Sequence, residues 1–377
     1  MQEDFHYYAT YCAAYIAGFS HEESLAICYS AQFVDTCSET LLEKIRAPRD
    51  AATTQLQLEL MDARTDLLAR HAITRIWSSF HFLPRDLFAP VKGGKMYCSK
   101  YRLICGPNGD LVKETVGLAR GKSLQAVGIA MHVLADTWAH MYFAGTPSLV
   151  INNVDAHFYE IREEDGVPVR RKIRFHRNIA AGDDLETGAM IGTPAQMDEN
   201  SVFNLGHGRA GHLPDYSFAR YVYMPAWNGY QEVFKDNPSD YYHAFCQMVY
   251  ALRFLRGELK EFRTETYDFE RVQPYEEEIR TILNRRQPNA CADWKAFGEK
   301  LSGETIGAFD IEAYQKEYKE AGEEEKPRTA PGMFFDAARA QKSMVTDRIF
   351  SSGNLLAGLS IRIGDIGSLK DLRGKKE

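Results

Sequence analysis

The chain lacks several things, and each absence narrows the reading. In 377 residues there is no run of about 18 uncharged apolar residues, so no membrane-spanning helix is expected. The nearest candidate, 124–151, is interrupted by polar residues. "MQEDFHYYATYC" opens with acids where a secretory signal carries basic residues, and no clean apolar core follows. A cytoplasmic protein is expected. The seven cysteines, at 12, 28, 37, 98, 105, 246 and 291, form no CxxC. That argues against a thiolate metal site or a disulfide framework and for buried free thiols. Excess positive charge is missing too: 45 Lys+Arg stand against 52 Asp+Glu, a formal net charge of −7. Proteins that hold nucleic acid by bulk electrostatics carry the opposite sign, so charge does not favour that partner. What is present is ordinary for a globular chain, 45% hydrophobic and 26% charged.

Helical signals dominate. "FHYYATYCAAYIAG" spaces Ala and aromatics helically and stops at Gly18. Ser20 with Glu23 forms a capping-box pair, which opens a second helix expected to run to Pro48. "DARTDLLARHAITRIWSSFHFLP" reads as a helix closed by Pro84. Two hairpins are expected. One is "KMYCSKYRLICGPNGDLVKETV" within 96–116, and the other is "HFYEIREEDGVPVRRKIRFHR", turning at Asp165-Gly166. A long helix, about 120–144, lies between them. Residues 180–212 read as Gly-rich loop, Pro214 as the first residue of a helix, and "SDYYHAFCQMVYALRFLRGELKEF" as a strong amphipathic helix. The fold class is mainly α with two small β-hairpin insertions. A helical metal-binding domain is expected over 1–320 and an acidic linker over 321–332. A C-terminal helix and tail, 333–377, would pack on the same domain.

Within the long helix, "AMHVLADTWAH" places His132, Asp136 and His140 four residues apart in an apolar run. A helix turns about 100° per residue, so the three share a face. Buried carboxylate and imidazole groups need compensation. Metal ions supply it, and His with Asp is a common zinc ligand set. Four residues rise about 6 Å and eight about 12 Å. Adjacent members can therefore meet at one ion, while His132 and His140 belong to different ions with Asp136 between them. A hydrogen-bonded polar seam between helices is the alternative. His6 in "DFHYY", Asp35 in "AQFVD", His81 in "SSFHFLP", and His207, His212 and Asp215 in "GHGRAGHLPD" are further polar residues in apolar or Gly-rich settings. The basic run holding Arg170, Arg171 and Lys172 is a weak candidate for contacting an anionic substrate.

The order of these residues resembles the zinc-dependent phospholipase C and single-strand nuclease superfamily. A His near the start resembles His6, an Asp on the next helix Asp35, and a His before an aromatic-Pro stretch His81. The His-x-x-x-Asp helix resembles His132 and Asp136, followed by His140. A final His and carboxylate pair falls at His212 and Asp215. "DFHYYATY" and "GHGRAGHLPD" look closer still to an uncharacterised bacterial family near that superfamily. The resemblance spans about residues 1–223. It implies a multi-helix phospholipase C-like domain with two or three zinc ions, though other divalent metals suit the same ligands. Asp35, His81, His132 and Asp136 would hold one ion, His6 and Asp136 a second, and His140, His212 and Asp215 a third. Asp35 and Asp136 would be the catalytic carboxylates, with Asp35 accepting the proton of an attacking water. The implied activity is hydrolysis of a phosphodiester or phosphomonoester. The alternative is a helical interaction module with a structural metal cluster. Two departures stand out. The superfamily uses the amine of its first mature residue as a ligand, a place that Met1 would take here. His212 and Asp215 are one residue closer than the superfamily pair, which makes His207 the alternative ligand.

Overall fold

The capping-box residues fold as their spacing predicts. The Ser20 hydroxyl accepts from the Glu23 N–H, and the Glu23 carboxylate accepts from the Ser20 N–H. Helix α2 then runs over His21–Phe33. The computed structural model describes residues 1–56, 59–60, 67–88, 103–146, 149–154, 157–176, 178–192 and 207–354. Before α2, helix α1 opens with a widened π-type turn over Asp4–Ala9 and continues as α-helix over Thr10–Ile16. The second helix does not reach Pro48. It stops at Phe33, the chain turns through Val34–Cys37, and α3 restarts over Glu39–Ile45 with Ser38 as its cap. Then come α4 (Leu67–Phe80), α5 (Asp110–Ala119) and α6 (Leu124–Ala139).

Helix α6 is buried almost all round, because α2, α4 and α5 and two later helices pack on it. A helix apolar on every side belongs in a core. Gly128 makes the closest of these approaches possible. A Cβ there would lie 2.3 Å from the Ile27 carbonyl oxygen of α2.

The β structure follows α6. Strands β1 (Tyr159–Glu164) and β2 (Val167–Lys172) form the expected hairpin around Asp165-Gly166, both at positive φ, 51° and 76°. That is the geometry that favours Asp-Gly. Strands β3 (Arg174–His176) and β4 (Ala189–Ile191) pair in parallel. Strands β5 (Arg220–Tyr223) and β6 (Val233–Asp236) complete an antiparallel sheet of order β2-β1-β5-β6. The helix expected from Pro214 is absent: "RYVY" is strand β5, its aromatics buried against a second core cluster. The other hairpin is also corrected. Its second arm is helix α5, whose Leu111, Val112, Thr115 and Val116 are buried at helical spacing. Most of its first arm lies outside the described residues.

Helices α7 (Asn237–Leu255), α8 (Glu276–Asn284), α9 (Cys291–Ser302), α10 (Ile311–Glu320) and α11 (Ala330–Ser351) finish the chain. The acidic stretch read as a linker is a turn between α10 and α11, and α11 packs on α4 and α6. The described cysteines are free thiols, all but Cys291 buried, and Cys98 lies outside the described residues. Among the described residues no helix is long and apolar enough to cross a membrane. The fold is mainly α.

Candidate metal centre

Local geometry brings distant residues to one point. His132 and Asp136 project from consecutive turns of α6, and His81 follows directly on α4. Asp35 sits in the turn that breaks α2, and His6 in the widened first turn of α1. The break therefore does work for the site: it turns the chain so that Asp35 meets His81 Nδ1 at 3.7 Å and His132 Nε2 at 3.9 Å.

The hydrogen bonds around the cluster fix where each imidazole carries its proton. His132 Nδ1 donates to the Ala31 carbonyl at 2.9 Å, which the close α2–α6 approach supplies. His81 Nε2 donates to the Thr53 carbonyl at 3.0 Å. Thr53 is itself tied to the end of α2, its N–H on Cys37 O and its hydroxyl on Val34 O. His140 Nδ1 donates to the His81 carbonyl at 2.7 Å. Carbonyl oxygens accept only, so in its neutral form each ring turns its lone-pair nitrogen inward. This outer hydrogen bond is the usual partner of a metal-ligating His.

The inward atoms are all acceptors. His81 Nδ1 and His132 Nε2 lie 3.3 Å apart, and each lies 3.2 Å from Asp136 Oδ2. Burial lowers His132 to about 4, so its ring is neutral at physiological pH. Two lone pairs and a carboxylate oxygen at these separations repel one another unless a cation joins them. A point about 1.9 Å from all three atoms lies in their plane, against zinc bond lengths of about 2.0–2.2 Å to such donors. The residues thus fit a divalent ion, and the donor mix of imidazole and carboxylate suits zinc or a similar borderline metal.

Asp136 divides its oxygens. Oδ2 faces His81 and His132, whereas Oδ1 lies 3.1 Å from His6 Nε2 and 2.8 Å from the Met1 amine. Asp35 divides likewise, with Oδ2 4.0 Å from His6 Nε2. Among the described residues neither ring nitrogen of His6 has a hydrogen-bond partner, and the ring stacks on His132 at 3.8 Å. Beyond them, the Met1 amine lies 3.2 Å from both His140 Nε2 and Asp215 Oδ1, and those two are 3.4 Å apart. His140 therefore turns its free nitrogen to other partners than His132 does. The groups with metal-binding geometry are His6–Asp35–His132 and His81–His132–Asp136.

Electrostatics act differently on each member of the cluster. Burial opposes ionisation of Asp136, but His140, the Met1 amine, His132 and His6 outweigh it and hold its carboxyl well below the usual range. Burial pushes Asp35 up. Burial, reinforced by His132, lowers His6 to about 4. For the Met1 amine burial works downward, and Asp136, Asp215 and Asp35 raise it to about 11. Asp35 is 28% exposed, the most open carboxylate of the set.

Other candidates lie elsewhere. His212 Nδ1 pairs with Asp183 Oδ2 at 2.8 Å, and its side chain is 44% exposed; it also feels the Asp215 charge, and its carbonyl accepts from the Asp215 N–H. His207 begins a short helical turn, and its side chain lies outside the described ones. Arg170 is committed to Glu232, and Arg171 to the buried Glu160, which Arg286 also contacts. Lys172 is exposed on β2. The sequence reading missed the supporting residues. Asn237 donates to the Leu213 and Tyr216 carbonyls, and the Tyr241 hydroxyl to Pro214 O, fixing the turn that carries Asp215. Lys235 Nζ, buried with Asp240, donates to Trp138 O near the end of α6. Only the local signal "DNP" hinted at Asn237, and nothing local marks Lys235.

All these residues fall within 1–349, the stretch that matches a family of unknown function (DUF6765). No curated protein and no solved structure matches the chain.

Proposed function

We propose that this chain, which belongs to the DUF6765 family and takes no activity from it, is a metal-dependent phosphoesterase. The observation that carries the reading is the set of inward lone pairs on His81, His132 and Asp136, beside a carboxylate, Asp35, that reaches solvent. Asp35, His81, His132 and Asp136 would hold the first ion. His6, Asp136, His140, Asp215 and the Met1 amine offer donors for a second or third. Bound there, zinc or another divalent ion supplies Lewis acidity toward a phosphoryl oxygen and lowers the pKa of water. Asp35 contributes a partly exposed base to accept a water proton. Asp136, its carboxyl held well below the usual range, offers one oxygen to each half of the cluster. Arg170 and Arg171 are held by Glu232 and Glu160, so they are not assigned to substrate. The order of His6, Asp35, His81, His132, Asp136, His140 and Asp215 supports a phospholipase C-like or nuclease-like arrangement as part of this proposal.

A second reading, a structural metal cluster in a non-catalytic module, draws on the burial of His6, His81, His132 and Asp136, which come from three different helical regions. Closed sites with four protein ligands are structural, and open ones catalytic. Zinc-reconstituted protein should hydrolyse bis-p-nitrophenyl phosphate, and Asp136→Asn should abolish turnover. Zinc bound at one or more ions per chain without turnover would select the structural reading. Fewer than one ion per chain would remove both.

A further inference from the structure

A cleft of about 280 Å³ opens between α5, α6 and α11, lined by alanines such as Ala119, Ala130 and Ala337 together with Leu118, Ile129 and Met333. Protein interiors pack closely, and a junction of three helices is ordinarily filled by larger side chains. The polar lining is as telling. Gln341, 2% exposed, donates its Nε2 to Ser79 O at 3.1 Å and to Thr115 Oγ1 at 3.0 Å. Those bonds fix the amide's orientation. Among the described residues its Oε1 receives no hydrogen bond, yet it is not one of the atoms sealed from solvent without a partner, so it stands where a molecule in the cleft can reach it. The Thr115 hydroxyl, which lines the same cleft, accepts from Gln341 and keeps its own proton for such a molecule.

We propose that this cleft binds a small apolar molecule bearing a hydroxyl group. The ligand hydroxyl donates to Gln341 Oε1 and accepts from Thr115 Oγ1, and the apolar body lies on the alanines. Lys122 and Asp336, of opposite charge, also line the cleft, which favours a neutral ligand over an ion. The site is separate from the metal centre and does not depend on the phosphoesterase reading.

The probes are 4-propylphenol and n-propylbenzene, which differ by one hydroxyl, titrated calorimetrically into the full chain. Saturable binding of one 4-propylphenol per chain is expected, about tenfold tighter than the hydrocarbon, in keeping with one hydrogen bond to a buried acceptor. Gln341→Leu should erase that preference. Ala337→Phe, which fills the cleft, should abolish binding of both probes while zinc content and circular dichroism stay as in the parent. Equal affinity for the two probes, binding that survives Ala337→Phe, or no binding at any soluble concentration would overturn the proposal.

Discussion

Replacing Gly128 with alanine places a methyl group 2.3 Å from Ile27 O and 2.6 Å from Ser30 Cβ. Neither helix can yield without moving Ala31 O, the acceptor that orients His132. Overpacking of this kind costs about 1–3 kcal/mol. Gly128→Ala should therefore lower stability by about that much in urea titration and weaken zinc binding as well, whereas an alanine at an uncrowded glycine such as Gly117 should do neither. Asn237 makes the same argument from the other side of the site. Its amide holds Leu213 O and Tyr216 O at 2.8 Å each, around Asp215. Asn237→Ala leaves those buried carbonyls without a donor, at about 1–3 kcal/mol. Zinc stoichiometry should fall by the ion that Asp215 helps to hold, while the ion at His81 and His132 remains. An unchanged stoichiometry would show that Asp215 is not a ligand.

Between elements, the His212–Asp183 pair joins the turn before β5 to the loop before β4. Its hydrogen bond to Asp183 raises His212 from 6.5 against the effect of burial. Burial works against ionisation of Asp183, yet hydrogen bonds from His212, Ile191 N–H and Tyr216 bring it below 3.8. The raised histidine contributes stability that is fully present below pH 6.5 and lost as pH rises through its folded value. The depressed carboxyl contributes above pH 3.8 and loses its effect as pH falls. Hydrogen-exchange protection of Ile191 should thus be greatest between those limits and decline toward alkaline pH, and His212→Ala should flatten the decline. A parent profile flat from pH 6 to 9 would refute the coupling. This pair also marks where sequence reading stops. A spacing of 29 residues carries no periodic signal, so the sequence offered His212 only beside Asp215, as a ligand for a third ion, and gave no hint of Asp183. Signals confined to one element were legible: the Ser20–Glu23 cap, the Asp165-Gly166 turn, the shared face of His132, Asp136 and His140. The break in α2 was not, because "FVDTC" holds no Gly or Pro and its cause is tertiary, Thr53 bonding to Val34 O. Helix α5 was hidden by β-branched Val112, Thr115 and Val116, whose strand propensity is outweighed by packing against α6.

At the scale of the whole molecule, the cluster is where α1, the end of α2, the end of α4 and α6 meet. The chain from residue 1 to residue 140 is thus tied through one set of carboxylate, imidazole and amino groups. In the metal-free protein the lone pairs of His81 and His132 and the Asp136 Oδ2 atom repel across 3.2–3.3 Å at the heart of the main core. A bound ion converts that repulsion into a cross-link, so metal should report on global rather than local stability. A ligand at a hundredfold its Kd stabilises the folded state by about 2.7 kcal/mol per site. Unfolding entropy near 2.1 cal/mol/K per residue gives roughly 0.8 kcal/mol/K for a chain of 377 residues. Each filled site should then raise Tm by about 3 °C, and each further tenfold of free zinc by about 2 °C. Unfolded chains also bind zinc through Cys and His, which lowers the increment at high metal, so chelator-buffered zinc is the proper titrant. Asp136→Asn preserves shape but removes the charge both halves of the cluster share, and should cancel most of the zinc-dependent rise. A parent Tm that ignores both EDTA and buffered zinc would mean that the inward lone pairs are relieved some other way, and the metal reading would fall with it.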